Sequence, residues 1–148
     1  MEIIKIDSNK KKYKNLLLLA DEQESMIDKY IDRGDMFVVT DSSTVVAECV
    51  VTNENDGIYE IKNIAVLPEK QKMGYGKMII DYVFGYYKDL KIMYVGTGDS
   101  ALTIPFYKRC GFSESHRVKN FFTDNYDHPV FEGGKQLTDM VYLKKNKG

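Results

Sequence analysis

The segment Gln71-Lys72-Met73-Gly74-Tyr75-Gly76 carries the residue types and spacing that speak most directly to chemistry. Glycines let the backbone come close to a ligand. The segment stands between an extended run that stops at Pro68 and a helical one. Its amides therefore open a helix, where unpaired N–H groups and the helix dipole favour an anion, phosphate above all. Lys72 and Lys77 add positive charge. Two standard phosphate motifs fail here. The dinucleotide fingerprint wants a small residue three places after its second glycine, where Ile79 stands, and an early βαβ unit. The P-loop wants four residues between its glycines and then Lys-Ser/Thr. A plain structural turn explains the glycines as well as an anion site does.

A second block, Gly98-Asp99-Ser100, looks like the nucleophile block of a class of lipases and esterases. That class carries it near the N-terminus, with Asp-x-x-His late in the chain. Here the late histidine is His128, with Asp124 four residues before it. The spacing fails. His116, His128, Cys49 and Cys110 lack ligand spacing, so no metal is expected.

These segments must be held by ordinary elements. Met1–Asp7 alternates as a short strand with Ile4 and Ile6 on one side. Lys12 to about Asp32 is helical, broken near 21–25, with Leu16, Leu19, Met26, Tyr30 and Ile31 on its apolar side. Met36–Thr40 and Thr44–Thr52 form a hairpin through Asp41-Ser42-Ser43. Ile58–Leu67 is a third extended run. A helix then spans about Gly74–Lys88, with Tyr75, Ile79, Tyr82, Val83 and Tyr86 on one face. Lys91–Val95 is a strand and Gly96–Ser100 a loop. A short helix follows from Thr103, its N-cap, to Cys110, closed by Gly111. Phe112–Phe122 is extended, 123–136 a loop, Leu137–Leu143 a last strand, and the tail is frayed. The crossover helix makes the two strands that flank it parallel. This is a mixed α/β architecture with about seven strands, mostly antiparallel, and flanking helices.

Composition sets the outer bounds. The chain has 148 residues, which fits one domain over 1–148. Lys+Arg number 21 and Asp+Glu 22, so no basic excess exists to displace counterions from nucleic acid. No apolar run approaches the roughly 18–20 residues of a membrane span. The N-terminal segment lacks the basic-then-apolar order of a signal peptide. Two cysteines cannot make a disulfide scaffold, and the cytoplasm is the expected location. A homodimer is left open.

A third pattern fits the glycine segment. Ile58–Ile80 resembles the coenzyme-A motif of the GCN5-related N-acetyltransferases (GNAT): Ala65-Val66-Leu67-Pro68 ends the strand, and Gln71–Gly76 supplies Gln-x-x-Gly-x-Gly. The family's second element, a short helix with Tyr that ends in Gly-Phe, is matched by Phe106-Tyr107-Lys108-Arg109-Cys110-Gly111-Phe112. Gly76 and Tyr107 are 31 residues apart, with a helix and a strand between them, as in the family.

The resemblance implies an acetyl-CoA-dependent N-acetyltransferase with no metal, in which an amine attacks the thioester directly in a ternary complex. It implies that the amides of Gln71, Lys72, Met73, Gly74, Tyr75, Gly76 and Lys77 hold the pyrophosphate. The backbone of Ala65, Val66 and Leu67 would pair with the pantetheine arm like an added strand, and an N–H near Val66 would polarise the thioester carbonyl. Tyr107 stands where the family has its acid. Glu60, five residues before Ala65, stands where some members have a base. Glu60 and Lys62 also share one side of a strand and could be a simple ion pair; Asp99, Glu114 and water are rival bases. Ser100 replaces a frequent coenzyme-binding Asn.

The early helices (about 17–33) and the late segment 118–136 would shape the acceptor site. Phe121, Phe122, Tyr126 and Phe131 suit a cationic group, and Asp124, Asp127 and Glu132 would attract one. A small cationic amine is favoured over an acidic acceptor, and a peptide N-terminus or a protein lysine stays open. The other readings are an acetyl-CoA sensor without turnover and, distantly, an ester hydrolase.

Overall fold

Two serines set the geometry of the first hairpin. In a computed structural model describing residues 1–148, Ser42 and Ser43 have φ of 51° and 69°, the two positive angles of the turn that matches strand twist. The chain divides into two compact units, Met1–Leu90 and Lys91–Gly148.

In the first unit β1 (Glu2–Ile6), β2 (Asp35–Asp41), β3 (Thr44–Asn53) and β4 (Ile58–Val66) form an antiparallel meander. A 3-10 turn at Lys10–Tyr13 leads into α1 (Lys14–Ala20), and α2 (Glu24–Ile27) is a single turn. Leu17, Ile27, Tyr30 and Ile31 pack on Met36, Val38 and Val50, which covers one face of the sheet. Phe37 points to the other face. There α3 (Tyr75–Tyr86) lays the ring edges of Tyr82 and Tyr86 on it, with centroids 5.9 and 5.1 Å away.

β4 contains an irregularity that matters below. Val51 pairs with Ile61, but Val50 pairs with Asn63, so Lys62 is an extra residue. A bulge of one residue switches the phase of side-chain alternation. Ile61 sides with Val51, whereas Asn63 and Ala65 side with Val50 and Glu48. Glu60, opposite Thr52, lies on that same helix-covered face.

In the second unit β5 (Ile92–Gly98), β9 (Met140–Asn146) and β6 (Ser113–Val118) pair antiparallel in that order, and β7 (Phe131–Glu132) and β8 (Lys135–Gln136) form a separate two-stranded hairpin. Its helices are α4 (Ile104–Arg109) and α5 (Phe121–Asn125).

The structure corrects several sequence expectations. Ile3 and Ile6, not Ile4, turn inward on β1, and Leu17 takes the place expected of Leu19, which is exposed. On α3 the buried stripe is Tyr75, Ile79, Ile80 and Val83; Tyr82 and Tyr86 stay 40% and 41% exposed while they cover Phe37. β5 runs on through Gly98, where it pairs with Met140 and the Leu137 side chain packs against the glycine. Thr103 makes no cap bond; its hydroxyl pairs with that of Thr97 at 2.7 Å. The expected strand to Phe122 stops at Val118, because Asn120 at φ 58° turns the chain into α5. The tail is not frayed: Lys144–Asn146 pair with β5, and Lys147 N–H bonds Lys91 C=O at 2.9 Å.

Candidate active site

The glycine segment opens α3. Gly74 is its N-cap at φ 89°, a left-handed conformation that costs an L-residue about 1–2 kcal/mol. Gln71, Lys72, Met73 and Gly74 are exposed, with Lys72 also at positive φ (65°). They precede a twelve-residue helix, and the Gln71 N–H bonds the Pro68 carbonyl at 3.4 Å. The side chains contribute less. Tyr75 is buried and its hydroxyl donates to Asp41. Lys77 pairs with Asp81 one turn on, at 2.7 Å.

The end of β4 divides its backbone between two directions. Leu67 donates its N–H to Val46 C=O at 2.9 Å. By the alternation of an antiparallel ladder, Ala65 also faces β3, and Val66 turns its N–H and C=O away from β3. The Val66 carbonyl receives Gln71 Nε2 at 3.2 Å. Of the three residues, Val66 is thus the one with a backbone amide turned outward.

Glu60 is 15% exposed in its side chain and pairs with Lys62 at 3.0 Å. Burial pushes its carboxyl above the ordinary value, while the Lys62 charge and hydrogen bond pull it down. The rivals are differently placed. Arg117, 2.9 Å from Asp99, holds that carboxyl below its usual range, which makes it a poorer base. Glu114 pairs with Lys108 at 2.9 Å.

In the second unit Tyr107 is 7% exposed on α4, with ring edges against Phe106 and Phe112. Ser100 is buried, and its Oγ accepts the Leu102 N–H at 3.0 Å. His128 bonds Asp127, and His116 bonds Ser115 and stacks on Tyr142. No group of three or more His, Cys, Asp or Glu is placed to hold a metal ion. Phe122, Val130 and Leu137 make a small core with Phe121, Tyr126 and Met140 against it. A cavity of about 250 Å³ is lined by Phe122 and Tyr126 together with Asp127, His128 and Gln136; Phe121 does not line it.

Two buried polar groups, Glu48 and Asn63, stand outside the residues the sequence pointed to. Glu48 on β3 is completely buried, and neither carboxylate oxygen has a hydrogen-bond partner. Burial pushes its carboxyl well above 4.5. The signal was available: a lone acid inside the apolar run Val45–Val51. Asn63, also buried, was missed because the bulge at Lys62 decides which way it points.

The first unit thus holds a glycine-capped helix after a strand with an outward amide, and the second a Tyr-bearing helix ending in Gly-Phe, the two elements of an acetyltransferase-like α/β class. The family described as acetyltransferase (GNAT) domain matches residues 32–114. An uncharacterized N-acetyltransferase of Bacillus subtilis, YvbK, is 33% identical over 132 residues, which is 87% of this chain and 85% of that protein. A GNAT family acetyltransferase from Elizabethkingia anophelis, solved with acetyl-CoA bound, superposes with a TM-score of 0.93 at 31% identity, covering 99% of this chain and 97% of that one. A Bacillus subtilis acetyltransferase in complex with CoA gives a TM-score of 0.87 at 29% identity, covering 99% and 98%. The chain belongs to the GNAT acetyltransferase family. That places it among acetyl-transferring enzymes and not among the ester hydrolases.

Proposed function

We propose that the protein transfers the acetyl group of acetyl-CoA to an amine by direct attack, within one catalytic domain over residues 1–148. The observation that carries this reading is the start of α3: Gly74 at φ 89° with the exposed residues Lys72 and Met73 before it. Similar proteins were solved with acetyl-CoA or CoA. The amides of residues 71–77 hold the pyrophosphate, with Lys72 adding charge. The outward Val66 N–H donates to the thioester carbonyl, where negative charge develops as the amine attacks. Gln71 braces the Val66 carbonyl. Ser100 adds a hydroxyl contact to the coenzyme.

The attacking amine must first lose a proton. Glu60 takes it, directly or through water, because a carboxyl raised by burial is a better base than an ordinary one. Tyr107 protonates the departing coenzyme-A thiolate. The acceptor is a small cationic amine; Phe122 and Tyr126 with Asp127 line a cavity with the aromatic faces and negative charge that suit one, and Phe121 packs behind them. The cytoplasm, where acetyl-CoA is made and thiols stay reduced, suits two buried cysteines that form no disulfide. No helix is long and apolar enough to cross a membrane.

Thiol release from acetyl-CoA across a panel of amines tests the reading. Release with at least one primary amine is expected. Tight coenzyme binding without release for any amine would instead leave a sensor.

A further inference from the structure

Two tyrosines strap α3 to β2, one at each end of the helix. Tyr75, its first residue, donates its hydroxyl to Asp41, the last residue of β2. Tyr87, which closes the helix, donates its hydroxyl to Asp35, the first residue of β2, at 2.7 Å. Asp35, Phe37 and Asp41 alternate onto one side of the strand, the side on which α3 lies. Both tyrosines are buried, each 8% exposed. The two straps share one chemistry and differ in place. Tyr87 is at the far end, on the order of 18 Å away along the helix. Tyr75 stands inside the glycine segment.

The start of α3 has little else to hold it. Gly74, the N-cap, brings no side chain, and no capping bond is made. No acidic residue stands in the first turn to steady its N–H groups. Helix ends held this lightly fray. The stretch before the helix is braced by local bonds, Lys70 N–H to Leu67 C=O at 2.8 Å and Gln71 Nε2 to the Val66 carbonyl at 3.2 Å. Two bonds tie it to the β2–β3 hairpin: Leu67 N–H to Val46 C=O at one end and the Tyr75 hydroxyl to Asp41 at the other. Asp41 is itself fixed, because it pairs with Thr44 across the Ser42-Ser43 turn.

We propose that Tyr75 and Asp41 form a positioning pair for the coenzyme's pyrophosphate: their bond fixes the first turn of α3 and with it the aim of the amides that follow Gln71. The proposal rests on the acetyl-transfer reading above. An acid in the first turn would steady the helix but repel a pyrophosphate. Tyr75 steadies it from a side chain's length away, with the carboxylate on β2 and not beside those amides. The bond from Tyr75 holds the Asp41 carboxyl below its usual range, so it is ionised at neutral pH and is a strong acceptor. Without the bond the turn samples more orientations. Coenzyme affinity then falls in proportion to the fraction of molecules whose turn is correctly aimed.

Calorimetry of coenzyme-A binding to the intact chain tests this, with one strap as the control for the other. Tyr75→Phe and Tyr87→Phe each keep the ring and remove one bond to a carboxylate, so both should melt earlier than wild type. Tyr75→Phe should weaken coenzyme-A binding by about tenfold, and Tyr87→Phe by less than about twofold. A merely structural role would move the two alike. Asp41→Ala removes the acceptor and leaves the buried ring in place; it should match Tyr75→Phe, and the double variant should lose no more than either single one. A loss below about threefold in Tyr75→Phe would overturn the proposal, as would an equal loss in Tyr87→Phe. If Tyr75→Phe does not fold, Asp41→Ala decides by the same limits. No coenzyme-A binding by the wild type would overturn the proposal together with acetyl transfer, whereas normal binding by both the wild type and Tyr75→Phe overturns the proposal alone.

Discussion

Lys62 Nζ lies 3.0 Å from Glu60 Oε2, with the two side chains 23% and 15% exposed. The pair is tuned by opposing effects. Burial raises the Glu60 carboxyl, and Lys62 lowers it. A base must be deprotonated to work, so the acid limb of the rate profile should follow this group. Lys62→Met removes the lowering effect and should move that limb to higher pH. Glu60→Gln should abolish the limb and cut kcat/KM by about 10²–10⁴-fold. A pH–rate profile of each variant checks both, and a limb unchanged in Glu60→Gln removes Glu60 as base.

Tyr107→Phe keeps the ring that meets Phe106 and Phe112 and removes only the hydroxyl. The fold should persist, and kcat should fall by about 10²-fold if that hydroxyl protonates the thiolate. Acetyl-CoA KM should stay near wild type. Steady-state kinetics with melting curves separate the two effects, and an unaltered kcat rules the acid role out.

Gly74→Ala meets no atom within 4 Å, so any effect comes from the backbone at φ 89°. The strain should cost about 1–2 kcal/mol. If the chain relieves it by turning the amide plane, the pyrophosphate contacts suffer as well. Acetyl-CoA KM should then rise several-fold while amine KM holds. Denaturant titration and a KM comparison read the two consequences.

Glu48 makes a stability prediction of its own. Its folded pKa lies above the unfolded one, so the native state binds more protons. Stability is then fully present below the unfolded carboxyl value and is lost as pH rises through the folded one, by up to about 1.4 kcal/mol per pH unit. Glu48→Gln lacks this loss. The variant's advantage in melting temperature should grow from mildly acidic to neutral pH, and a constant difference would contradict the burial of an unpaired acid.

The architecture was legible where local chemistry decides it. Ser42-Ser43 announced a hairpin, Pro68 ended a strand, and Gly74 opened a helix, each through a constraint that needs no distant partner. α5 was missed because its start depends on Asn120, whose N–H is held by Asp139 at 2.9 Å, nineteen residues away. The tail was misread because its order comes from pairing with β5. The glycine segment carried a motif, and its turn into α3 could be read. The burial of Asn63 could not, because one bulged residue sets which way it faces, and a period count is blind to that shift.

The central claim is acetyl transfer from acetyl-CoA to an amine. Mass spectrometry of the product formed from acetyl-CoA and a panel of primary amines, with thiol release followed in parallel, tests it most directly. An amine heavier by one acetyl group, formed in step with coenzyme-A thiol, is the predicted result. Thiol release at the same rate with no amine present, or no acetylated product from any amine, would contradict it.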